Sequence, residues 1–258
     1  MWDLLQAAVI GLVAGYLSGQ FGVGGGIVTT PVIRLLLERP ELVAVGTPLP
    51  VIIPTAVAGA FAYARRGLLD VRTGLAVGIV GAGFAVLGAW ATLLVGGRVV
   101  LLVTAALICW MAVDMALLAL ASPGSGTLRT GRTAGVSPAL KIALLGIAAG
   151  LYSGFLGLGG GFIVVPALVR YFGFDVKRAV GTSLVAVSIL AVPGSITHYL
   201  LGNIEVGLAL GLSIGVVPGA LLGAHVTARA KEKTVRVAFA GFLAVVGAVL
   251  ALSELGVV

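Results

Sequence analysis

Charged side chains are scarce in this 258-residue sequence, at 10% of the residues against about 25% in a typical soluble domain. Hydrophobic residues make up 60%, and the mean hydropathy is +1.20. This balance excludes an ordinary soluble domain. Apolar runs of about 18 residues or more recur along the whole chain, which predicts an all-α membrane protein with several spanning helices.

Cysteine is nearly absent as well. The single residue, Cys109, permits neither an intrachain disulfide nor a cysteine-based metal site. The net charge is +7, but the basic residues lie in short gaps between apolar runs, where they orient a protein in a lipid bilayer. We therefore expect a bilayer partner and no nucleic acid. The first residues lack the basic region of a signal peptide, so the opening run is expected to remain part of the fold.

The sequence consists of one unit repeated twice. Residues 15–31, GYLSGQFGVGGGIVTTP, align without a gap on residues 150–166, GLYSGFLGLGGGFIVVP, at an offset of 135, with 8 of 17 positions identical. The same register holds to the end of each copy. We predict a first transmembrane repeat over 1–121, a polar linker over 122–138 and a second transmembrane repeat over 139–258.

Each repeat begins with a segment that glycines interrupt, at about 4–37 and 139–172. Such a segment, of about 34 residues, is too long for one straight span, and the part after the glycines is only about 12 residues, or roughly 18 Å as a helix. It either re-enters on the side where it began or crosses as two short pieces. Three runs long enough to span the bilayer follow in each repeat, at 43–64, 73–95 and 99–121 and at 179–201, 206–228 and 235–256.

The basic residues distinguish these topologies, because cytoplasmic loops carry an excess of Lys and Arg. A segment that crosses once gives parallel repeats and divides the 16 basic residues 6 to 10. A segment that returns gives inverted repeats and divides them 13 to 3, with Arg34, Arg39 and Arg98 on the minor side. We predict two inverted-topology repeats in the cytoplasmic membrane, with the linker cytoplasmic and both termini outside.

Inverted repeats with a Gly-broken segment in each are typical of secondary transporters, whose substrate lies between the repeats near the midplane. Glycine lets the backbone bend and its N–H groups approach a ligand. A helix beginning at Ile27 or Phe162 would turn its positive dipole end toward an anion, although glycines also serve close helix packing alone. No Gly-Lys-Ser/Thr follows, so we expect no nucleotide or other cofactor. The glycines predicted to bind substrate are Gly22, Gly24, Gly25, Gly26, Gly157, Gly159, Gly160 and Gly161.

The GxGGG break in both copies, Gly-Thr-Pro-Leu at 46–49 and Gly-Thr-Ser-Leu at 181–184, together with the length and the duplication, resemble the TauE/SafE or sulfite exporter family. The resemblance spans nearly the whole chain. It implies transport of sulfite, thiosulfate, sulfoacetate or related sulfur oxyanions and organosulfonates. Pro48 stands where the second copy has Ser183, so strictly equivalent ligand contacts in the two copies are not expected.

Hydroxyl and amide groups near the breaks are further candidates for substrate binding. Each has a structural alternative, because a serine in a membrane helix often bonds its own backbone and a threonine at a helix start can cap it. We expect Thr47, Thr182 and Ser183 to begin the helix after the break. Gln20, which has Phe155 as its counterpart, would make the site asymmetric. The predicted set is Ser18, Gln20, Thr47, Ser153, Thr182 and Ser183.

Two titratable residues are candidates for proton coupling. Asp114 lies within an apolar run, where a carboxylate is costly unless it is paired, protonated or hydrated. His198 replaces Tyr63 of the first copy, and histidine can exchange protons near neutral pH. The alternatives are an acid close to the bilayer surface and a histidine that only packs.

Three other functions compete with an anion transporter. An intramembrane enzyme would need a nucleophile with a base, two close acids or a metal motif, and none of these patterns is present, so we predict no enzymatic activity. A cation or metal ion transporter would use Asp114 and His198, but normally has more such residues. A purely structural membrane subunit gives no reason for two aligned breaks. The oligomeric state does not follow from the sequence.

Overall fold

The computed structural model describes residues 2–120 and 137–254, in which all regular structure is helical. The predicted linker lies outside these ranges up to residue 136, and its last residue, Pro138, already begins a helix. The helices are α1 Trp2–Phe21, α2 Gly26–Leu35, α3 Glu41–Gly46, α4 Pro48–Ala64, α5 Val71–Val95, α6 Gly97–Leu120, α7 Pro138–Leu156, α8 Gly161–Phe172, α9 Val176–Leu200, α10 Val206–Arg229 and α11 Glu232–Glu254.

Within the described ranges, eight helical stretches are long and apolar enough to cross a membrane, with α3 and α4 counted as one. This confirms an all-α, multi-pass membrane protein. The three spans predicted after each break are present, and most of their ends lie one to three residues from the predicted ones. Each interrupted segment consists of a long first arm, α1 or α7, and a short second arm of 10 or 12 residues, α2 or α8.

The helix after the break differs between the two copies. In the first copy it is divided at Thr47, because Pro48 has no backbone N–H to continue the hydrogen-bond ladder. In the second copy Ser183 supplies that N–H, and α9 runs unbroken from Val176 to Leu200. The expectation that Thr182 and Ser183 begin this helix is therefore wrong, because both lie in its second turn. Only Thr47 stands at a helix start.

Glycines allow two pairs of helices to approach closely. Along α1, Gly11 faces Leu212, Gly15 faces Val216 and Gly19 faces Ala220, so near that an added methyl group would overlap the α10 backbone. On α5 and α7, Gly81 faces Gly150 in the same way. This is the packing that small residues permit between membrane helices, and it joins one copy to the other in both pairs.

The contacts between the copies fix the helix directions. Both ends of α4 lie beside the same ends of α10, through Thr47 with Glu205 and Arg66 with His225, so α1, α4 and α10 run the same way. Gly59 faces Leu184 and Gly194 faces Leu49, so α9 runs opposite to α4.

Two further long helices, α5 and α7, run in the same direction as α9. Gly74 faces Val185 and Gly78 faces Ile189, so α5 is parallel to α9. Gly150 faces Gly81 and Gly154 faces Ala85, so α7 is parallel to α5. The first helices of the two copies, α1 and α7, therefore point in opposite directions.

These directions generate a prediction for matched positions. We expect cysteines at Arg65 and at its counterpart Leu200 to be labelled by an impermeant maleimide from opposite sides of membrane vesicles, since α4 and α9 end at opposite faces. The pair Arg98 and Lys233 should behave likewise. Cys109→Ala provides the background. Labelling of both members of a pair from the same side would indicate parallel repeats.

Candidate functional site

The two glycine breaks meet at the centre of the molecule. A methyl group added to Gly26 would lie 2.8 Å from the Cα of Leu158, and one added to Gly161 would lie 2.9 Å from the Cα of Val23. The structure thus brings together the two sets of glycines that the sequence predicts, and all eight are buried.

Two aliphatic side chains mark the depth of this meeting point. Ile52 and Val187 occupy equivalent positions, near the middle of the 41–64 span and of α9, and both are buried. Both lie against Gly24, with side-chain carbons 2.8 and 2.7 Å from the position of an added methyl group, and both also lie against Gly159. The breaks therefore lie about halfway along the spanning helices.

A short helix begins at each break. Gly25 precedes α2 with φ of 89°, and Gly160 precedes α8 with φ of 75°, a conformation that favours glycine. No side chain caps either helix. The first N–H groups of a helix have no partner within it, and the positive dipole end lies there. Two uncapped helix starts therefore face the centre, one residue before the predicted starts at Ile27 and Phe162.

The carbonyl oxygens that the breaks leave unpaired on α1 and α7 are bound by equivalent side chains. The Tyr63 hydroxyl donates to the Gly19 carbonyl oxygen over 3.0 Å, and His198 Nε2 lies 2.8 Å from the Gly154 carbonyl oxygen. His198 must carry its proton on Nε2 to donate there, and its Nδ1 then accepts from Asn203 Nδ2 at 3.3 Å. His198 is thus a buried tether of the break, in the place that Tyr63 has in the first copy.

Ser18 and Ser153 lie in the last turns of α1 and α7, just before the breaks. Both are buried, and neither hydroxyl has a hydrogen-bond partner. The structural alternative for these serines was a bond to the backbone of their own helix, and neither hydroxyl forms one. The Ser183 hydroxyl lies 2.8 Å from two carbonyl oxygens, that of Val180 on its own helix and that of Gly22 in the first break, and its single proton can be donated to either.

Thr47 and Thr182 tie one copy to the other rather than facing the breaks. The Thr47 hydroxyl accepts the backbone N–H of Glu205 at 3.1 Å, and the Thr182 hydroxyl accepts that of Asp70 at 2.9 Å. These are equivalent bonds at opposite ends of the spans. Thr47 makes no capping bond to α4, so the capping alternative is wrong for this residue.

Asp70, whose backbone N–H binds Thr182, also forms an ion pair. Asp70 accepts the N–H of Thr73 at 3.0 Å and binds Arg178 at 2.8 Å. The Thr73 N–H, with help from the Arg178 guanidinium, holds the pKa of Asp70 below its usual value. A lowered pKa in the folded state means that this carboxylate stabilises the protein at neutral pH and loses that effect only in acid.

Asp114 and Gln20 are bound to side chains outside the glycine breaks. Asp114 forms an ion pair with Arg170, whose side chain is 48% exposed, near the ends of α6 and α8. This favours the alternative of an acid near the surface. The Gln20 amide donates to the hydroxyl of Tyr16 at 3.2 Å, on its own helix.

Sequence reasoning missed several polar residues near the breaks. Tyr63 and Asn203 complete the tethers, and Thr30 is a buried threonine whose hydroxyl has no partner. Thr55 lies beside Gly25, with its Cγ2 3.9 Å from the position of an added methyl group. The signal was present in the repeat alignment, where Thr30 and Thr55 stand opposite Val165 and Leu190.

The fold and the site together define a class of protein. Multi-pass helices enclose two buried half-helix starts at mid-depth, an arrangement that membrane transporters use for substrate. The model for the family described as "Sulfite exporter TauE/SafE" matches residues 7–250, so this chain belongs to the TauE/SafE family. This is a family of membrane transporters, which act on a small substrate within a lipid bilayer.

Individual relatives support the same class. The chain is 31% identical over 244 residues to the "Probable membrane transporter protein YunE" of Bacillus subtilis, covering 88% of this chain and 89% of that one. It is 29% identical to a "Probable membrane transporter protein" of Haemophilus influenzae, covering 94% and 96%. A similar protein of Methanocaldococcus jannaschii, MJ0441, is 24% identical, covering 93% and 92%. No solved structure gave a significant match.

The paired tethers generate a second prediction. Tyr63→Phe should lower the midpoint temperature of unfolding in detergent, because the buried Gly19 carbonyl loses its donor, at a cost of about 1–3 kcal/mol. His198→Tyr should be tolerated better than His198→Phe, since tyrosine makes the equivalent bond in the first copy. Tyr199→Phe, at an exposed position, is the control. If Tyr63→Phe unfolds at the parental temperature, the hydrogen bond from Tyr63 to the Gly19 carbonyl does not stabilise the protein.

Proposed function

We propose that this protein is a secondary transporter or facilitator for a small sulfur-containing oxyanion, such as sulfite, thiosulfate, sulfoacetate or another organosulfonate. The anion binds near the midplane between the two Gly-rich breaks. The observation that carries the proposal is the meeting of two uncapped helix starts, at Gly26 and Gly161, in the buried centre. Both turn unpaired N–H groups and a positive dipole end to the same region, which suits an anion.

The buried polar groups support an anionic rather than a cationic substrate. Among residues 4–117 and 137–253, the buried polar side chains are hydroxyls together with His198 and Asn203. Hydroxyls and backbone N–H groups can donate hydrogen bonds to an oxyanion, whereas a cation site would be expected to contain buried carboxylates. The alternative, a cation or metal ion transporter using Asp114 and His198, is disfavoured because Asp114 is bound to Arg170 and His198 to the Gly154 carbonyl.

The topology belongs to the same proposal. Two inverted repeats, 1–121 and 139–258, would place the substrate on a pseudo-two-fold axis, and the opposite directions of α1 and α7 support this relation. Arg65, Arg66 and Arg178 lie near one end of the spans and Arg39 and Arg98 near the other, which supports the 13 to 3 division. The positive-inside rule then places the linker in the cytoplasm and both termini outside the cytoplasmic membrane.

The breaks can be tested by adding bulk to them. Gly25→Leu and Gly160→Leu should abolish uptake of sulfite or thiosulfate into proteoliposomes, because a large side chain would separate the anion from the helix starts. Gly83→Leu is the matched control, since an added methyl group there meets no atom within 4 Å. The smaller Gly25→Ala, whose methyl group would meet its nearest atom at 3.7 Å, serves where leucine prevents insertion.

The outcomes separate the functions. Normal transport by an inserted, folded leucine variant would leave the glycines a packing role only. Binding should be measured for sulfite, thiosulfate, sulfoacetate, taurine, sulfate and chloride. A response to a divalent metal, with none to any oxyanion, would favour the cation alternative.

Proton coupling through Asp114 or His198 forms a separate prediction. His198→Tyr keeps the tether to Gly154 but removes the titratable ring, and Asp114→Asn removes the carboxylate. If these residues carry protons, both variants should flatten the pH dependence of uptake while leaving anion affinity nearly unchanged. Parental pH profiles in both would assign these residues a structural role and leave the protein uncoupled or dependent on a proton carried by the substrate.

A further inference from the structure

The two breaks share a backbone conformation but not their surroundings. Three threonines of the first copy have aliphatic counterparts in the second, and all six side chains lie on the helices that follow the breaks. The aligned pairs are Thr29 with Val164, Thr30 with Val165, and Thr55 with Leu190.

The hydroxyls of the first copy differ in whether they are already bound. Thr29 donates to the Gly25 carbonyl oxygen at 3.1 Å, and Thr55 donates to that of Val51 at 2.6 Å. Ser18 and Thr30 are fully buried with no partner for either hydroxyl. A buried hydroxyl without a partner is unfavourable, so these two hydroxyls are free to bind an incoming molecule. Among the described residues of the second copy, Ser153 is the one with an unpaired buried hydroxyl.

The space beside the two helix starts also differs. A methyl group added at Gly25 would have the Ser18 Cβ as its nearest neighbour at 3.7 Å, an ordinary van der Waals distance. At Gly160 the same group would lie 2.7 Å from the carbonyl oxygen of Ala149, so the backbone of α7 already fills that position. The two glycines have similar φ values, so the difference comes from the spacing of the helices.

From these observations we infer that the hydroxyl donors to the oxyanion come from the first break alone, from Ser18 and Thr30, while the second break contributes its helix start and no hydroxyl. Ser18 lies beside Gly25, where the N–H groups of α2 begin, and Thr30 lies one helical turn after Gly26. Hydroxyls and backbone N–H groups at one helix start provide convergent donors for the oxygens of one anion. This inference rests on the proposed function and specifies which copy selects the anion.

The duplication provides matched variants for the test. Ser18→Ala and its equivalent Ser153→Ala each delete one hydroxyl. Thr30→Val installs the side chain found at position 165 and keeps the shape. The probes are sodium sulfite and sodium thiosulfate, with binding measured by titration of the purified full-length protein and uptake measured in proteoliposomes.

We expect Ser18→Ala and Thr30→Val each to weaken binding about tenfold or more, as loss of a hydrogen bond to a charged group does. Ser153→Ala should stay within about twofold of the parent. Without anion, Ser18→Ala should unfold at or above the parental temperature, because its hydroxyl has no protein partner to lose. A purely structural role for Ser18 would lower that temperature.

Equal weakening by Ser18→Ala and Ser153→Ala would overturn the one-sided pocket while leaving an oxyanion transporter intact. Parental affinity in Ser18→Ala and Thr30→Val would overturn it too. A parent protein that binds neither sulfite nor thiosulfate, but responds to a divalent metal, would instead refute the proposed function and the pocket with it.

Discussion

The need to satisfy backbone polar groups away from water governs this structure. A helix can lie in hydrocarbon because its N–H and C=O groups are paired internally, and a break at mid-depth removes that pairing. The protein places both breaks where they face each other and not lipid. The tethers from Tyr63 and His198 then bind carbonyls that the breaks expose. The N–H groups at the helix starts stay uncapped, and they are the groups that an anion can use.

The two copies share the same order of helices and breaks, but several aligned positions carry side chains of different chemistry. Tyr63 and His198 bind equivalent carbonyl oxygens with different rings. Pro48 and Ser183 determine whether the helix after the break is divided or continuous. The exchange of threonine for valine or leucine around the break goes further, because it gives the first copy an additional unpaired buried hydroxyl, that of Thr30. The two aligned copies therefore contribute different chemistry to the centre where their breaks meet.

The sequence predicted the helices and the breaks well because both depend on local composition. Apolar length defined the spans, and the glycine clusters at 22–26 and 157–161 located the interruptions to within a residue. Side-chain partners were harder to predict, since they depend on helices distant in the sequence. Thr47 and Thr182 looked like site residues but bind backbone N–H groups of the other copy. Asp114 looked deep because an apolar run surrounds it, whereas its partner, Arg170, comes from the end of a short helix on the other copy.

The pairing of α1 with α10 has a consequence for biosynthesis. The glycine face of α1 is translated some 200 residues before the α10 surface that it packs against. Until then the early helices must rest in the bilayer with their close-packing faces against lipid. The tertiary structure is thus completed only when the second copy inserts and threads its helices among those of the first. A chain truncated after its first copy would be a set of inserted helices without a folded core, which makes the second copy a requirement for assembly as well as for transport.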